Sequence, residues 1–311
     1  MKLVFCGTPQ FAVPTLEALL ADSHEIVLVV TQPDRPQGRG LELATSPVKH
    51  TAQRHNLPIE QPEKIKNNAE FRALLEKIHP EAIIVVGYGR IVPPWMLALP
   101  KHGNINLHGS LLPKYRGAAP IQWAIAEGEK VSGVTSMLLN EGLDTGDILL
   151  HRELAIAPDD TAITYSQRLS AVGAELMVET LRKLQVGSIK PQPQDHSRSS
   201  LAPILKKEDA QADFSSSAQR IYNRLRGFQP WPGCYTTLKG KKLGITSAKH
   251  HSYSGTQAPG ELLVDREQLF VICGDHSALQ LLEVQPEGKR RMSAADFIRG
   301  YRPQMGEKLG A

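Results

Sequence analysis

Along the first 187 residues, short apolar runs alternate with stretches whose apolar residues return every three or four positions. Apolar runs at 2–6, 25–31, 82–86, 104–107 and 134–139 predict strands, and the three-to-four spacing at 11–21, 46–55, 67–78 and 118–127 predicts helices. A longer helical pattern over 161–184 closes this half. Strands apolar on both faces are expected to be parallel and covered by helices, which predicts a Rossmann-like α/β sheet, mostly parallel, over residues 1–187.

The pattern then changes. Residues 188–204 are rich in Pro, Ser and polar groups without periodicity, as in a linker. From 205 to 311, one short helix over 215–228 carries Ile221, Leu225 and Phe228 on its apolar face. Short strands broken by Lys239-Gly240, Pro259-Gly260 and Gly274-Asp275 follow, the pattern of a small β-barrel.

Composition narrows the class. With 311 residues, 41% of them hydrophobic, the chain can bury a substantial core. No apolar run reaches the roughly 20 residues of a membrane helix, and the N-terminus enters a strand directly; a cytosolic protein without membrane association is expected. Cys6, Cys234 and Cys273 are scattered and show no CxxC spacing, which points to buried thiols rather than to disulfides or a zinc site, and no metal is expected. Charge is uneven: residues 206–311 hold 16 Lys+Arg and 11 Asp+Glu, a net +5 against −1 upstream. A basic second half suits a polyanionic partner.

The first βα turn, Gly7-Thr8-Pro9-Gln10-Phe11, lacks the glycines of a dinucleotide fingerprint, and no P-loop, HExxH or GxSxG motif occurs. The informative stretch is Asn104-Ile105-Asn106-Leu107-His108-Gly109-Ser110-Leu111-Leu112-Pro113, followed further on by Leu143-Asp144-Thr145-Gly146-Asp147. Side chains alternate along a strand, so Asn106 and His108 share one face while Ile105 and Leu107 share the other. Gly109 breaks the strand and Ser110 to Pro113 turn the chain, placing the pair at the carboxyl end, where open α/β sheets form ligand clefts.

HGSLLPKYRGAAPIQ, with FCGTPQFA, TQPDRPQGRG and LDTGDI, resembles the methionyl-tRNA formyltransferases within the wider family of enzymes that use 10-formyltetrahydrofolate. The resemblance covers nearly the whole chain. It implies an oligonucleotide-binding (OB-like) barrel for the second domain and Asn106, His108 and Asp144 as the catalytic group. Formyl transfer from a folate nitrogen to an amine passes through a tetrahedral centre bearing a negative oxygen. The Asn106 amide can donate to that oxygen, a contribution of about 10²–10³ in rate for such a donor. His108 can stabilise the same centre or accept a proton, and Asp144 can relay the proton to the leaving nitrogen through water.

For the folate, the resemblance points to Ser110, Leu111, Leu112 and Pro113, and to the turn Gly87, Tyr88 and Gly89. For initiator methionyl-tRNA it points to Arg39 in the Pro/Gly-rich segment after the second strand, expected to be an exposed loop without regular structure. Leu41-Glu42-Leu43 stand where the family often has lysines. Arg220 and Arg224, four apart and off the Ile221/Leu225 stripe, with Arg226 nearby, and Lys241 in a Lys-rich hairpin suit phosphate contacts. A monomer is expected. Alternatives are a formyltransferase acting on an amino-sugar nucleotide, which shares NLHGSLLPKYRG, one acting on glycinamide ribonucleotide, and a non-catalytic RNA-binding protein on the same scaffold.

Overall fold

The computed structural model describes residues 1–22, 24–37 and 42–310. By their contacts they form two compact units: Met1–Pro120, Val131–Ala155 and Ser166–Pro203 in one, Ile121–Lys130, Ile156–Tyr165 and Ile204–Ala311 in the other.

In the first unit, β1 (Lys2–Gly7) and β2 (Glu25–Val30) are followed by a small antiparallel ribbon of β3 (Arg35–Gln37) and β4 (Glu42–Ala44). Then come β5 (Ile59–Glu60), β6 (Ala82–Val86), β7 (Asn104–His108), β8 (Val131–Leu138) and β9 (Ile148–Ala155). The main sheet has the order β5-β2-β1-β6-β7-β8-β9. From β5 to β7 all pairings are parallel; β8 and β9 pair antiparallel. The sheet is mostly parallel, as expected, and β8 is the apolar strand that departs from the parallel direction. An apolar run reports that both faces are covered, which favours a parallel strand without fixing its direction.

Two helices show how local chemistry sets the boundaries. Ser46 Oγ accepts from the Lys49 amide at 3.0 Å, and Pro47 occupies the first turn of the helix Pro47–Arg54. Asn68 Oδ1 accepts from the Phe71 amide at 3.0 Å and starts a second capped helix, Ala69–Ile78. Phe71 and Leu75 of that helix pack with Val4, Val30, Ile83, Val85 and Met96 into one apolar cluster. The β3/β4 ribbon corrects the expectation of a wholly irregular segment after the second strand. Every strand of a two-stranded ribbon is an edge, so Pro36, which has no N–H, fits there.

The second unit carries the helix Ala218–Gly227, shorter than the expected 215–228, with Ile221 and Leu225 buried. Its six-stranded antiparallel sheet runs Tyr235–Leu238, Lys241–Ser252, Ser277–Pro286, Gln268–Cys273 and Leu262–Asp265, and Met292–Ser293 pairs with the middle strand. The tail holds both edges: Gly310 donates to Thr237 O, and Leu309 to Gly260 O, each at 2.9 Å. One segment thus closes the sheet on itself and removes its open edges, as in an OB-like barrel. The interior is a single apolar cluster including Leu243, Ile245, Leu269, Leu279, Leu281 and Phe297.

Candidate active site

All five residues of β7 are buried. Ile105 and Leu107 face the core, where Leu107 packs so closely on Gly173 that a Cβ there would come within 2.7 Å of it. Asn106 and His108 alternate with them, 9% and 5% exposed, so both polar heads were removed from bulk water by folding. Such groups need partners or a task. Among the described residues the Asn106 amide makes no hydrogen bond, which leaves its donors available to a ligand.

His108 is held from two sides. Its Nε2 lies 2.9 Å from the Tyr115 carbonyl, and because a carbonyl only accepts, that nitrogen carries a proton whether the ring is neutral or charged. Nδ1 is therefore the position that gains or gives up a proton, and it faces Asp144 Oδ2 at 3.7 Å. Asp144 is itself fixed: Oδ2 accepts from the Gly117 amide at 2.8 Å, and its backbone is left-handed with φ 49°, a conformation that Asp tolerates better than most residues. Gly117 has no such choice. At φ 124° a Cβ there would sit 2.6 Å from the Ala202 carbonyl oxygen.

The turn after β7 is pinned from within. Thr135 Oγ1 donates to Ser110 O at 2.7 Å and accepts from the Leu112 amide at 3.1 Å, while the Ser110 hydroxyl donates to Lys114 O at 2.6 Å. Ser110 is fully buried, so its side chain serves the turn, and Leu111 and Pro113 are the half-exposed members of the set. At the end of β6, Gly87 and Gly89 are left-handed at φ 57° and 73°. A Cβ on Gly87 would meet Pro9 at 2.8 Å. The Tyr88 side chain joins the apolar core, and its carbonyl accepts from Gln32 Nε2 at 3.0 Å. Any contact of Tyr88 with a ligand is thus restricted to its backbone.

Comparison with known proteins identifies the family. The formyl transferase family matches residues 1–181, and the formyl transferase C-terminal domain matches 204–302. The chain belongs to the formyl transferase family. It is 61% identical over 310 residues to the methionyl-tRNA formyltransferase of Koribacter versatilis, covering 100% of this chain and 99% of the relative. It is 57% identical over 311 residues to that of Acidobacterium capsulatum, covering 100% of both. Among solved structures, the N-formyltransferase of Helicobacter canadensis, in complex with folinic acid and dTDP-3-aminofucose, superposes with a TM-score of 0.69 at 20% identity. That match covers 92% of this chain and 99% of the other and reflects a shared fold.

The remaining residues expected from the sequence fall differently in this formyl transferase. Arg39 lies outside the described residues. Arg220 and Lys241 are exposed. Arg224 is half-buried, its Nη2 3.3 Å from Asp209 O and its guanidinium 5.3 Å from the Phe228 ring centre. Arg226 must be removed from the phosphate-contacting group. It is 7% exposed, and it donates to Asp160 O at 2.7 Å and to Asn223 Oδ1 at 2.8 Å, bonds that hold the second unit together. Tyr115, Gly117 and Thr135 were not singled out in the sequence, although Tyr115 and Gly117 lie within the YRG of HGSLLPKYRG. No described helix is long and apolar enough to cross a membrane, and no described cluster of His, Cys, Asp or Glu fits a metal.

Proposed function

We propose that this protein transfers the formyl group of 10-formyltetrahydrofolate to the free amine of initiator methionyl-tRNA, giving formylmethionyl-tRNA for translation initiation. The observation that carries this reading is the convergence of Asn106, His108 and Asp144 at the end of β7, in a chain 61% identical over its length to a methionyl-tRNA formyltransferase. When bound, the folate supplies the formyl carbon. Asn106 donates to the oxygen that becomes negative as the amine adds, a role its unengaged amide suits. His108, with Nε2–H committed to Tyr115, handles the proton at Nδ1. Asp144 balances the ring when it is charged and passes the proton on through water.

The half-exposed Leu111 and Pro113, with the backbone of the Gly87–Gly89 turn, offer an apolar slot with peptide groups at its edge, the design of a small-molecule site. The basic share of residues 206–311, with Arg220, Arg224 and Lys241 on it, supports contact with the tRNA backbone, and Arg39 is assigned to the acceptor end. A cytoplasmic monomer fits these tasks. Incubation with labelled formylfolate and, separately, methionyl-tRNA, an amino-sugar nucleotide and glycinamide ribonucleotide tests the acceptor. Label should pass to methionyl-tRNA, and transfer to either small acceptor at a comparable rate would sink the proposal.

A further inference from the structure

Residues 188–203 group with the first unit. From Gln192 to Ala202 they run as a strap against the two loops that carry the site. Gln192 and Ile148 exchange backbone hydrogen bonds at 2.8 Å, Ser200 O accepts from the Arg116 amide at 2.8 Å, and the Ala202 amide donates to Arg116 O at 2.7 Å. Ser200 Oγ accepts from the amide of Tyr115, the residue whose carbonyl holds His108.

At the centre of the strap is Gln194, 5% exposed. Its Oε1 accepts from Arg116 Nε at 3.1 Å and Nη2 at 2.6 Å. Its Nε2 donates to Asp144 O at 2.9 Å and to Gly146 O at 2.7 Å. The orientation of the amide is unambiguous, because a guanidinium only donates and a carbonyl only accepts. All the hydrogen-bonding capacity of the amide is therefore used, half on the loop after β7 and half on the loop that carries Asp144. Arg116 is 6% exposed, and its Nη2 also lies 3.1 Å from His196 Nδ1.

We propose that Gln194 is a positioning residue for formyl transfer: it clamps Arg116 to the Asp144–Gly146 backbone and so sets the approach of the Asp144 carboxylate to His108 Nδ1. The inference rests on the functional reading above. A buried amide that ties two loops through four hydrogen bonds costs nothing to reorganise during the reaction, whereas a loop free to move by about 1 Å can lose up to roughly 10² in rate. Without it, the left-handed Asp144 would lose the bond to its carbonyl and keep its side-chain contacts with the Gly117 amide and His108.

The test is a double-mutant cycle in the full-length protein, read as single-turnover formyl transfer with both substrates saturating, and as KM for each substrate. Gln194→Ala should lower the rate by about tenfold or more and leave both KM values within about twofold, because the clamp acts on the chemical step and not on binding. Gln194→Glu keeps an acceptor for Arg116 but sets a second oxygen against the carbonyls of Asp144 and Gly146, and it should lose at least as much. In the Asp144→Asn background, where no carboxylate remains to be aimed, Gln194→Ala should cost less than about twofold. An equal loss in both backgrounds, or a Gln194→Glu enzyme at the wild-type rate, would overturn the proposal and leave Gln194 a residue of general stability. Melting curves identify a variant that fails to fold; should Gln194→Ala do so, the isosteric Glu variant carries the test in both backgrounds. If the wild type fails to formylate methionyl-tRNA, or Asp144→Asn matches it, the functional reading fails and this inference falls with it.

Discussion

The end of β7 and the arginine row of the helix Ala218–Gly227 both present polar side chains at short intervals, at alternate positions in the strand and four and then two apart in the helix. Folding treats them in opposite ways. At β7 the backbone places Asn106 and His108 on one buried face, and neighbouring loops complete their surroundings, so alternation alone brings the two side chains together. On the helix, the same residue type meets three environments within seven positions. Arg220 is exposed, Arg224 lies half-buried against Phe228, and Arg226 is buried among the carbonyls of Ala157 and Asp160. Residue identity therefore assigns a task only where the local geometry leaves no other, and for long charged side chains the environment decides.

The sharpest way to break this contrast is at β7. Replacing Asn106 or His108 by Ala, or Asp144 by Asn, should lower single-turnover formyl transfer by at least about 10² with melting temperature nearly unchanged, since each loss falls on the transition state. A variant that loses stability in place of rate would move its residue from the chemistry to the fold. On the helix the expected outcome is reversed. Arg226→Ala withdraws donors from buried carbonyls and from Asn223, which should lower unfolding free energy by about 1–3 kcal/mol, measured by urea titration, with little change in the salt dependence of tRNA binding. Arg220→Ala and Lys241→Ala, at exposed positions, should leave stability within about 0.5 kcal/mol. Each should reduce the slope of log binding constant against log salt by roughly 1 if it contacts a phosphate. An unchanged slope would return these side chains to the solvated surface.

Much of this was legible in the sequence. Periodicity located β1, β2, β6, β7 and the long helix Ala162–Gln185 to within a few residues, because each buries a continuous apolar face. The Asn106/His108 pair could be read because alternation in a strand is a local rule. Strand direction at β8, and β9 itself, were not legible: direction is set by tertiary pairing, and β9 is a half-exposed edge whose alternation is interrupted by Arg152 and Glu153. Nor was Gln194, since nothing in Pro191-Gln192-Pro193-Gln194 distinguishes a clamp from a linker until Arg116 and Asp144 are brought to it. The burial of Arg226 escaped for the same reason, because its partners Ala157 and Asp160 lie more than sixty residues away.

The smallest expected effect concerns groups buried for packing alone. Cys6, Cys234 and Cys273 are all buried and unpaired, and desolvation pushes the thiols of Cys234 and Cys273 up to about 12 and that of Cys6 higher still. In the unfolded chain a thiol titrates near 8.5, so folding favours the neutral form. Stability from this source is complete below about pH 8.5 and declines as the pH rises toward the folded values, by under about 1 kcal/mol per thiol at pH 9. At pH 8, an aromatic disulfide reagent should therefore react very slowly with the native protein, while all three thiols react at once in denaturant. Rapid labelling of native Cys6, which lies in the middle of the sheet on β1, would mean that the sheet next to the Gly87–Gly89 turn opens readily, and the rigidity ascribed to the β7 site would have to be sought in the strap and its loops alone.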